Sequence, residues 1–491
     1  MKREKLIPLI SGAILLFLVG VLLGKTLSRP GRTARSAENV QPSGQKVDVP
    51  VQTVLGVSPE MLSAGYWTDS VDDVLLFSEE EIALFNENNP PYVLYNSIEE
   101  QRQKKLFLYN LPVTIQDEII LSLLDRTFLD QMRSGEQSVY INGSIPQTDY
   151  WDTLEANCRF DSISPSVTPV YAVCVRRTMA QRLPTDDFAS ESVDEHYCSD
   201  FVSAEIMPCT GVAVLHESAD GAWKYVLAGS FCGWVHSDAL ALCRDRDEWI
   251  AAIRPKKYLI VTGSELILDE TAVPTAHSGS IYPMGTKLRL TEETVADVNG
   301  RSTLGCYCVE LPCVGNDGSL CWEKALIGVT QDVHVGYPPM TSGSVVEQAF
   351  KLLGRVYGWG GSLRANDCSG IVRQIYACFG LELPRNALAI AKMDDLGKTA
   401  CTQMTVERKL QILSEMPAGT LLYMDGHLMM YLGMRNNTPY VISSCTRYIN
   451  PGDTSGQIQY GRCVFVSGLD LLRANGKTWL EDLSYILWKE Y

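Results

Sequence analysis

The spacing of apolar residues changes character several times along the chain. Leu6 to Gly24, LIPLISGAILLFLVGVLLG, runs 19 residues without a charge, which at 1.5 Å per residue nearly crosses a hydrocarbon core of about 30 Å. From Thr26 to Glu60 the periodicity vanishes and Ser, Pro, Gly, Arg and Gln dominate, the texture of a linker. SEEEIALFNEN then opens with Ser78 three residues before Glu81, a capping pattern, and continues with Ile82, Leu84 and Phe85 at helical spacing. IQDEIILSLLDRTFLDQM predicts a second helix, so residues 67–168 read as mainly helical. Between 169 and 340 the pattern turns to short alternating runs such as VYAVCVRR, GVAVLHES and WKYVLAG, broken by Gly, Asp and Ser; ESADGAWKYV carries a hairpin signal. These runs predict two small β-barrels. After 341 helix and strand alternate: SVVEQAFKLLG and CSGIVRQIYACFG as helices, GTLLYMD, HLMMYLG and PYVISSC as strands.

Length and charge narrow the functional classes. At 491 residues the chain should hold about three domains. Its 42 basic and 58 acidic residues give a net charge of −16, a poor match for nucleic acid. The N-terminal MKREK is basic, and no A-x-A cleavage site or lipoprotein cysteine follows the apolar run. An uncleaved single-span anchor is therefore expected, with a cleaved signal peptide as the alternative. Both flanks of the run are basic and leave the orientation open. Fifteen cysteines fit an oxidising compartment. Cys313 and Cys321 flank VGNDGSL, a turn that suits a cross-strand disulfide; zinc bound by Cys306, Cys308, Cys313 and Cys321 is the weaker reading, because C-x-C is not the usual spacing. No metal or other cofactor is implied.

The candidate chemistry lies after 341. Cys368 opens an apolar-periodic helix, where partial positive charge and unpaired N–H groups favour a thiolate. Ser369 and Gly370 are small and leave room for a substrate. A cysteine nucleophile needs a base, and the only histidine beyond His334 is His427. Counting back across the hairpin around MRNNT puts His427 near Ser443, Ser444 or Thr446, without choosing among them. Asp367 suits either a helix N-cap or a substrate ammonium.

YGWGGSLRANDCSGIV, LPRNA, GHLMMYLG and YVIS together resemble the NlpC-type cysteine peptidases of bacterial cell walls. The resemblance extends upstream to a multidomain subgroup. WTDSVDDVLLFSEEEIALFN resembles its N-terminal stabilising domain, and YAVCVRRTMAQRLPTD the first of its two bacterial SH3-like barrels. It implies a multidomain protein with a papain-like α+β catalytic domain. The segments would be 1–37 (anchor or signal), 38–66 (linker), 67–168 (helical stabilising domain), 169–253 and 254–340 (SH3-like barrels) and 341–491 (peptidase). It implies Cys368 as nucleophile, His427 as base and Ser443 where relatives carry a third polar residue, most often histidine. It also implies Tyr357, Asp367 and Ser369 as groups facing the substrate's amine. Relatives commonly read L-P-R-D-S where this chain has Asn386 and Ala387. The implied activity is hydrolysis of the γ-D-glutamyl–diamino acid bond of peptidoglycan stem peptides through a thioester. A monomer tethered to the bacterial membrane, with its catalytic part outside, would carry it out. The rival readings are an inactive wall-binding surface protein and an acyltransferase on the same fold.

Overall fold

The structure, a computed structural model, describes residues 51–489 except 70, 71, 98 and 136–138. The apolar run 6–24 lies outside the described residues; among those described, no helix is long and apolar enough to cross a membrane.

The chain packs earlier than its composition suggested. Val54, Val57 and Met61, expected in a linker reaching to 66, are buried. With Trp67, Leu76, Phe77, Ile82 and Phe85 they belong to the same apolar core as the C-terminal domain. Backbone and side chains both make the attachment. Leu75–Phe77 pairs antiparallel with Met340–Thr341, the Tyr440 hydroxyl donates to the Gly56 carbonyl at 2.8 Å, and Trp67 meets the Tyr440 ring at 5.5 Å. Helix α1 (Glu79–Asn88) starts on the expected capping box: Ser78 Oγ accepts the Glu81 N–H and Glu81 Oε2 accepts the Ser78 N–H. Residues 52–89 therefore form a strap on the C-terminal domain.

The following lobe, 92–168, is less helical than expected. Tyr92–Ser97 and Arg102–Phe107 make an antiparallel hairpin before helices α2 (Asp117–Leu123), α3 (Arg126–Ser134) and α4 (Thr148–Cys158). The segment read as one helix breaks between α2 and α3 at Asp125, which sits at φ 52°, ψ 48°, a left-handed conformation that Asp adopts more readily than most residues. Its carboxylate receives Arg182 at 2.5 Å, and that guanidinium lies 3.3 Å from the Phe128 ring centroid. This lobe shares one core with the first barrel, from Ile120 and Phe128 through Phe201, Trp234 and Trp249.

The first barrel is a seven-stranded sheet whose central hairpin, Gly211–Glu217 with Trp223–Ala228, turns at Asp220-Gly221, where Gly221 supplies φ +69°. The second is a five-stranded sheet. In it Cys313 and Cys321 face each other across the hairpin and are joined as a disulfide with a Cα separation of 5.1 Å.

The C-terminal domain is a six-stranded antiparallel sheet covered by helices. Helix α5 (Ser342–Phe350) precedes α6 (Cys368–Ala377); the strands are β1 (Lys398–Ala400), β2 (Leu421–Met424), β3 (His427–Arg435), β4 (Thr438–Ile449), β5 (Ile458–Gly468) and β6 (Leu483–Leu487). Their spatial order is β1-β6-β2-β3-β4-β5. Helix α6 lies across β3 and β4 because one of its faces is wholly apolar. Ile371, Val372, Ile375, Tyr376 and Phe379 are each at most 4% exposed, and burial stabilises each by about 1.5–3 kcal/mol. That packing fixes where the N-terminal tip of α6, and so Cys368, meets the start of β3.

Candidate active site

Cys368 is the first residue of α6 and is half-buried. Asp367 caps the helix: its Oδ1 accepts the Gly370 N–H at 2.8 Å and its Oδ2 the Gly360 N–H at 3.0 Å. The N–H of Leu428, the residue after His427, points at the Cys368 thiol. On the other side, Ser444 Oγ donates to the Asn366 carbonyl at 2.7 Å. The cysteine is thus held between the start of β3 and the middle of β4.

His427 begins β3 straight after the two-residue turn Asp425-Gly426. Its Nε2 lies 3.1 Å from Ser443 Oγ, and the ring meets Trp479 edge-on at 5.2 Å. Of the three hydroxyl residues left open by the sequence, Ser443 is therefore the one at the imidazole. A register shift between Tyr431 and Gly433 moves the count that the sequence could not complete. Ser443 and Trp479 are 0% and 2% exposed, so Nε2 is pinned from a dry interior.

Burial favours the neutral form of both titrating groups. Burial, helped by the Asp367 charge, pushes the Cys368 thiol up to about 12. Burial, helped by the Arg473 charge, pulls His427 down to about 4. Burial therefore works against the thiolate that the helix terminus favours. Raising a thiol from 9.0 to about 12 disfavours the anion by about 4 kcal/mol; a helix terminus returns only about 0.3–1 kcal/mol. A neutral thiol and a neutral imidazole remain able to react if the proton moves as the sulfur attacks.

The residues expected to face a substrate amine have other partners. Arg385 Nη1 donates to Asp367 Oδ1 at 3.0 Å, and Arg385 Nη2 donates to Asp367 Oδ2. Burial alone would raise the Asp367 carboxyl, but the Arg385 charge and the hydrogen bonds it receives hold it below its ordinary value. With two backbone amides already bound, this carboxylate has no free side for an ammonium; its site is a buried ion pair. Ser369 Oγ donates to the Arg385 carbonyl at 2.9 Å and receives Arg385 Nη1 at 2.9 Å, so it belongs to the same clamp. Tyr357 is 6% exposed; burial, then the neighbouring Asp367 and Cys368, raise its phenol. The sequence LPRNA does not by itself mark Arg385, because a partner 18 positions away leaves no local signal. Asn386, a departure from L-P-R-D-S, caps the short helix Ala387–Ala391 through Oδ1, to the N–H groups of Leu388 at 2.8 Å and Ala389 at 3.3 Å.

The first barrel is locked to the loop before Cys368. Arg177 pairs with Glu205 through Nε at 2.5 Å and reaches the carbonyls of Gly361 and Ala365 at 3.3 and 3.2 Å. Gly360 and Gly361 adopt φ +63° and +99°. A Cβ on Gly361 would stand 2.6 Å from Glu205 Cβ, and one on Gly360 would stand 2.3 Å from Val202 Cγ1. Arg462 lies over Tyr197 at 4.4 Å and Tyr460 at 4.7 Å, tying a barrel loop to β5. Glu195 Oε1 accepts the N–H groups of Tyr197 and Cys198 at 2.6 and 3.2 Å and so shapes that same loop.

Residues 354–460, which contain Cys368, His427 and Ser443, match the NlpC/P60 family. The C-terminal domain is an NlpC/P60 domain. Residues 200–236 match the SH3 domain of the SH3b1 type, so the NlpC/P60 domain is accompanied by at least one SH3-like barrel. Among solved structures, an NlpC/P60 endopeptidase from Photobacterium damselae subsp. piscicida is similar in fold at TM-score 0.67 and 15% identity, covering 86% of this chain and 96% of that one. An NlpC/P60 family protein from Bacillus cereus ATCC 10987 aligns at TM-score 0.40 and 18% identity, over 58% of this chain and 82% of that one. No curated protein sequence matches the chain. The NlpC/P60 domain is of cysteine peptidase type, and peptidoglycan is the general substrate of its family.

Proposed function

We propose that this chain is a peptidoglycan endopeptidase that cuts the γ-D-glutamyl–diamino acid bond of stem peptides through Cys368. The observation that carries the reading is the placement of the Cys368 thiol against the Leu428 N–H while the adjacent His427 is held at Nε2 by Ser443. With Nε2–H donating to Ser443 Oγ, Nδ1 is the nitrogen left to take a proton. As Cys368 Sγ attacks the γ-carbonyl, its proton passes to Nδ1. The oxyanion gathers at the backbone N–H of Cys368, one of the donors that a helix start leaves unpaired. The tetrahedral species collapses to a thioester, and His427 gives the proton to the departing amine. Water, deprotonated by His427, then releases the acyl group.

In this reading Tyr357 contacts the stem peptide's N-terminus, while Asp367 and Ser369 act through Arg385 as supports of the wall behind Cys368. The barrel locked to the Gly360-Gly361 loop closes one side of the cleft and favours short stems. The apolar run 6–24 tethers the protein to the membrane with its catalytic part outside. The test is mass spectrometry of products from defined stem peptides with and without a free N-terminus, using wild type and Cys368→Ala. Wild type releases a γ-glutamyl product with a new carboxylate and the variant releases none. Full activity in Cys368→Ala, or transfer to an added amine in place of hydrolysis, ends the assignment.

A further inference from the structure

Among the described residues, two pairs of cysteines are direct partners across antiparallel strands. Cys313 and Cys321 are one pair and are joined. Cys445 on β4 and Cys463 on β5 are the other, and both thiols are free. Side chains of directly opposite residues leave a sheet on the same face. Their Cα atoms stand about 4.5–5.5 Å apart, inside the range of about 4.4–6.8 Å that a disulfide spans. Cys313 and Cys321, in the same relation, are 5.1 Å apart. The two free thiols also feel each other: burial pushes Cys445 up to about 11, and Cys463 adds to the rise.

The pair sits where the segment leading to Cys368 is attached to the sheet. β5 is the edge strand, and its outer side carries residues 354–357. The Gly354 N–H donates to the Val464 carbonyl, the Val464 N–H to the Arg355 carbonyl and the Tyr357 N–H to the Arg462 carbonyl, each at 2.8 Å. On β4, the two residues before Cys445 are Ser443, at the His427 ring, and Ser444, on the Asn366 carbonyl. Immediately after Cys445 the β4–β5 register slips, and Arg462, next to Cys463, adopts φ 49°. The backbone ladder is thus interrupted beside the two thiols, and a bond between them would brace it there. Cys463 is half-buried and Cys445 buried, so a reagent meets Cys463 first. The Cys445 Sγ–H donates to the Arg447 carbonyl at 3.2 Å.

We propose that Cys445 and Cys463 are a reversible disulfide site, closed by a low-molecular-weight disulfide such as oxidised glutathione, that clamps β5 and the Tyr357 segment to the sheet. The Cys463 thiolate attacks one sulfur of the oxidant; that S–S bond breaks and one glutathione thiolate leaves. The Cys445 thiolate then displaces the second glutathione from the mixed disulfide. The protein gives up two electrons and two protons, and one oxidised glutathione becomes two thiols. Burial raises both protein thiols, so closure is slow near neutral pH. The site rests on strand register and not on the reaction at Cys368.

The experiment incubates the full-length protein with oxidised glutathione or with dithiothreitol, blocks free thiols with N-ethylmaleimide and maps unreduced tryptic peptides by mass spectrometry. Cleavage after Arg435, Arg447, Arg462 and Arg473 puts Cys445 and Cys463 on separate peptides with one cysteine each. The oxidised sample should show Asn436–Arg447 linked to Cys463–Arg473, and dithiothreitol should abolish the link. Closing the bond should raise the melting temperature of the protein by about 5 °C or more and slow amide exchange at Tyr357 and Val464 about tenfold. Cys463→Ser should show neither effect; if circular dichroism finds that variant unfolded, Cys445→Ser decides. Both peptides carrying N-ethylmaleimide after oxidation, while Cys313–Cys321 stays closed, overturns the proposal. So does Cys445 linked to Cys368, whose thiol it also influences. A link that lowers the melting temperature, or leaves exchange at Tyr357 and Val464 unchanged, overturns the clamp.

Discussion

Replacing Arg385 by Gln removes both guanidinium bonds to Asp367 and leaves the Gly360 and Gly370 amides as the carboxylate's backbone donors. Asp367 is 5% and Arg385 8% exposed, so water cannot take over. Removing one partner of a buried pair typically destabilises by about 3–5 kcal/mol. The pH dependence should also change sign. In wild type the Asp367 carboxyl is held below its unfolded value, so the pair contributes stability above the unfolded pKa that is lost as pH falls. Without Arg385, burial is the dominant influence and raises the carboxyl. Arg385→Gln should then lose stability as pH rises from the carboxyl's unfolded value toward its raised folded one, the range in which wild type gains stability. Replacing both residues by apolar ones, Asp367→Leu with Arg385→Met, should recover most of the loss. The assay is chemical denaturation of the full chain at several pH values, with the four proteins of the double-mutant cycle. A single-variant loss below about 1 kcal/mol, or a double variant no better than the single, would refute the claim that this pair acts as one buried unit.

Four further outcomes follow from the site. Alkylation of Cys368 by iodoacetamide should be slow at neutral pH and rise only toward the thiol's value of about 12; a rise centred below pH 7 would show a resting ion pair instead. Because burial lowers His427 from 6.5 to about 4, the folded state should lose up to about 3 kcal/mol as pH falls from 6.5 to 4, and His427→Gln should remove that acid sensitivity. Ser443→Ala frees the imidazole at Nε2, so kcat should drop about tenfold with KM little changed; a rise in KM alone would mean that Ser443 meets substrate instead. Gly361→Ala forces a Cβ to 2.6 Å from Glu205 at φ +99°, so its melting temperature should fall and the barrel loop should become easier to cleave with protease; an unchanged melting temperature would mean that the lock is loose.

The parts of the site that depend on local pattern were legible. The apolar face of α6 placed Cys368 at a helix start, and the Asp425-Gly426 turn placed His427 at a strand start, because both follow from spacing within a few residues. The distant parts were not. Choosing Ser443 required a register shift that leaves no mark in the sequence. Asp367 was weighed as a cap or an ammonium partner, and only the fold brings Arg385 to it. Helix-tip chemistry suggested a thiolate, but the burial around Cys368, which works against it, is set by the whole domain and leaves no local mark. Composition made residues up to 66 look like linker, whereas Val54, Val57 and Met61 find their partners in the C-terminal half.

That strap has a temporal consequence. Val345 of its partner domain is made 260 residues after Phe85 (345 − 85), a delay of about 13–52 seconds at 5–20 residues per second. During that interval Trp67, Phe77 and Phe85 have no surface to cover them, and they are among the first apolar side chains of the described part to leave the ribosome. The C-terminal domain cannot complete its interior until the opening segment returns to it, so the molecule closes last around its own beginning. A version cut at residue 341 would leave that seat empty and greasy, prone to self-association however sound its catalytic residues.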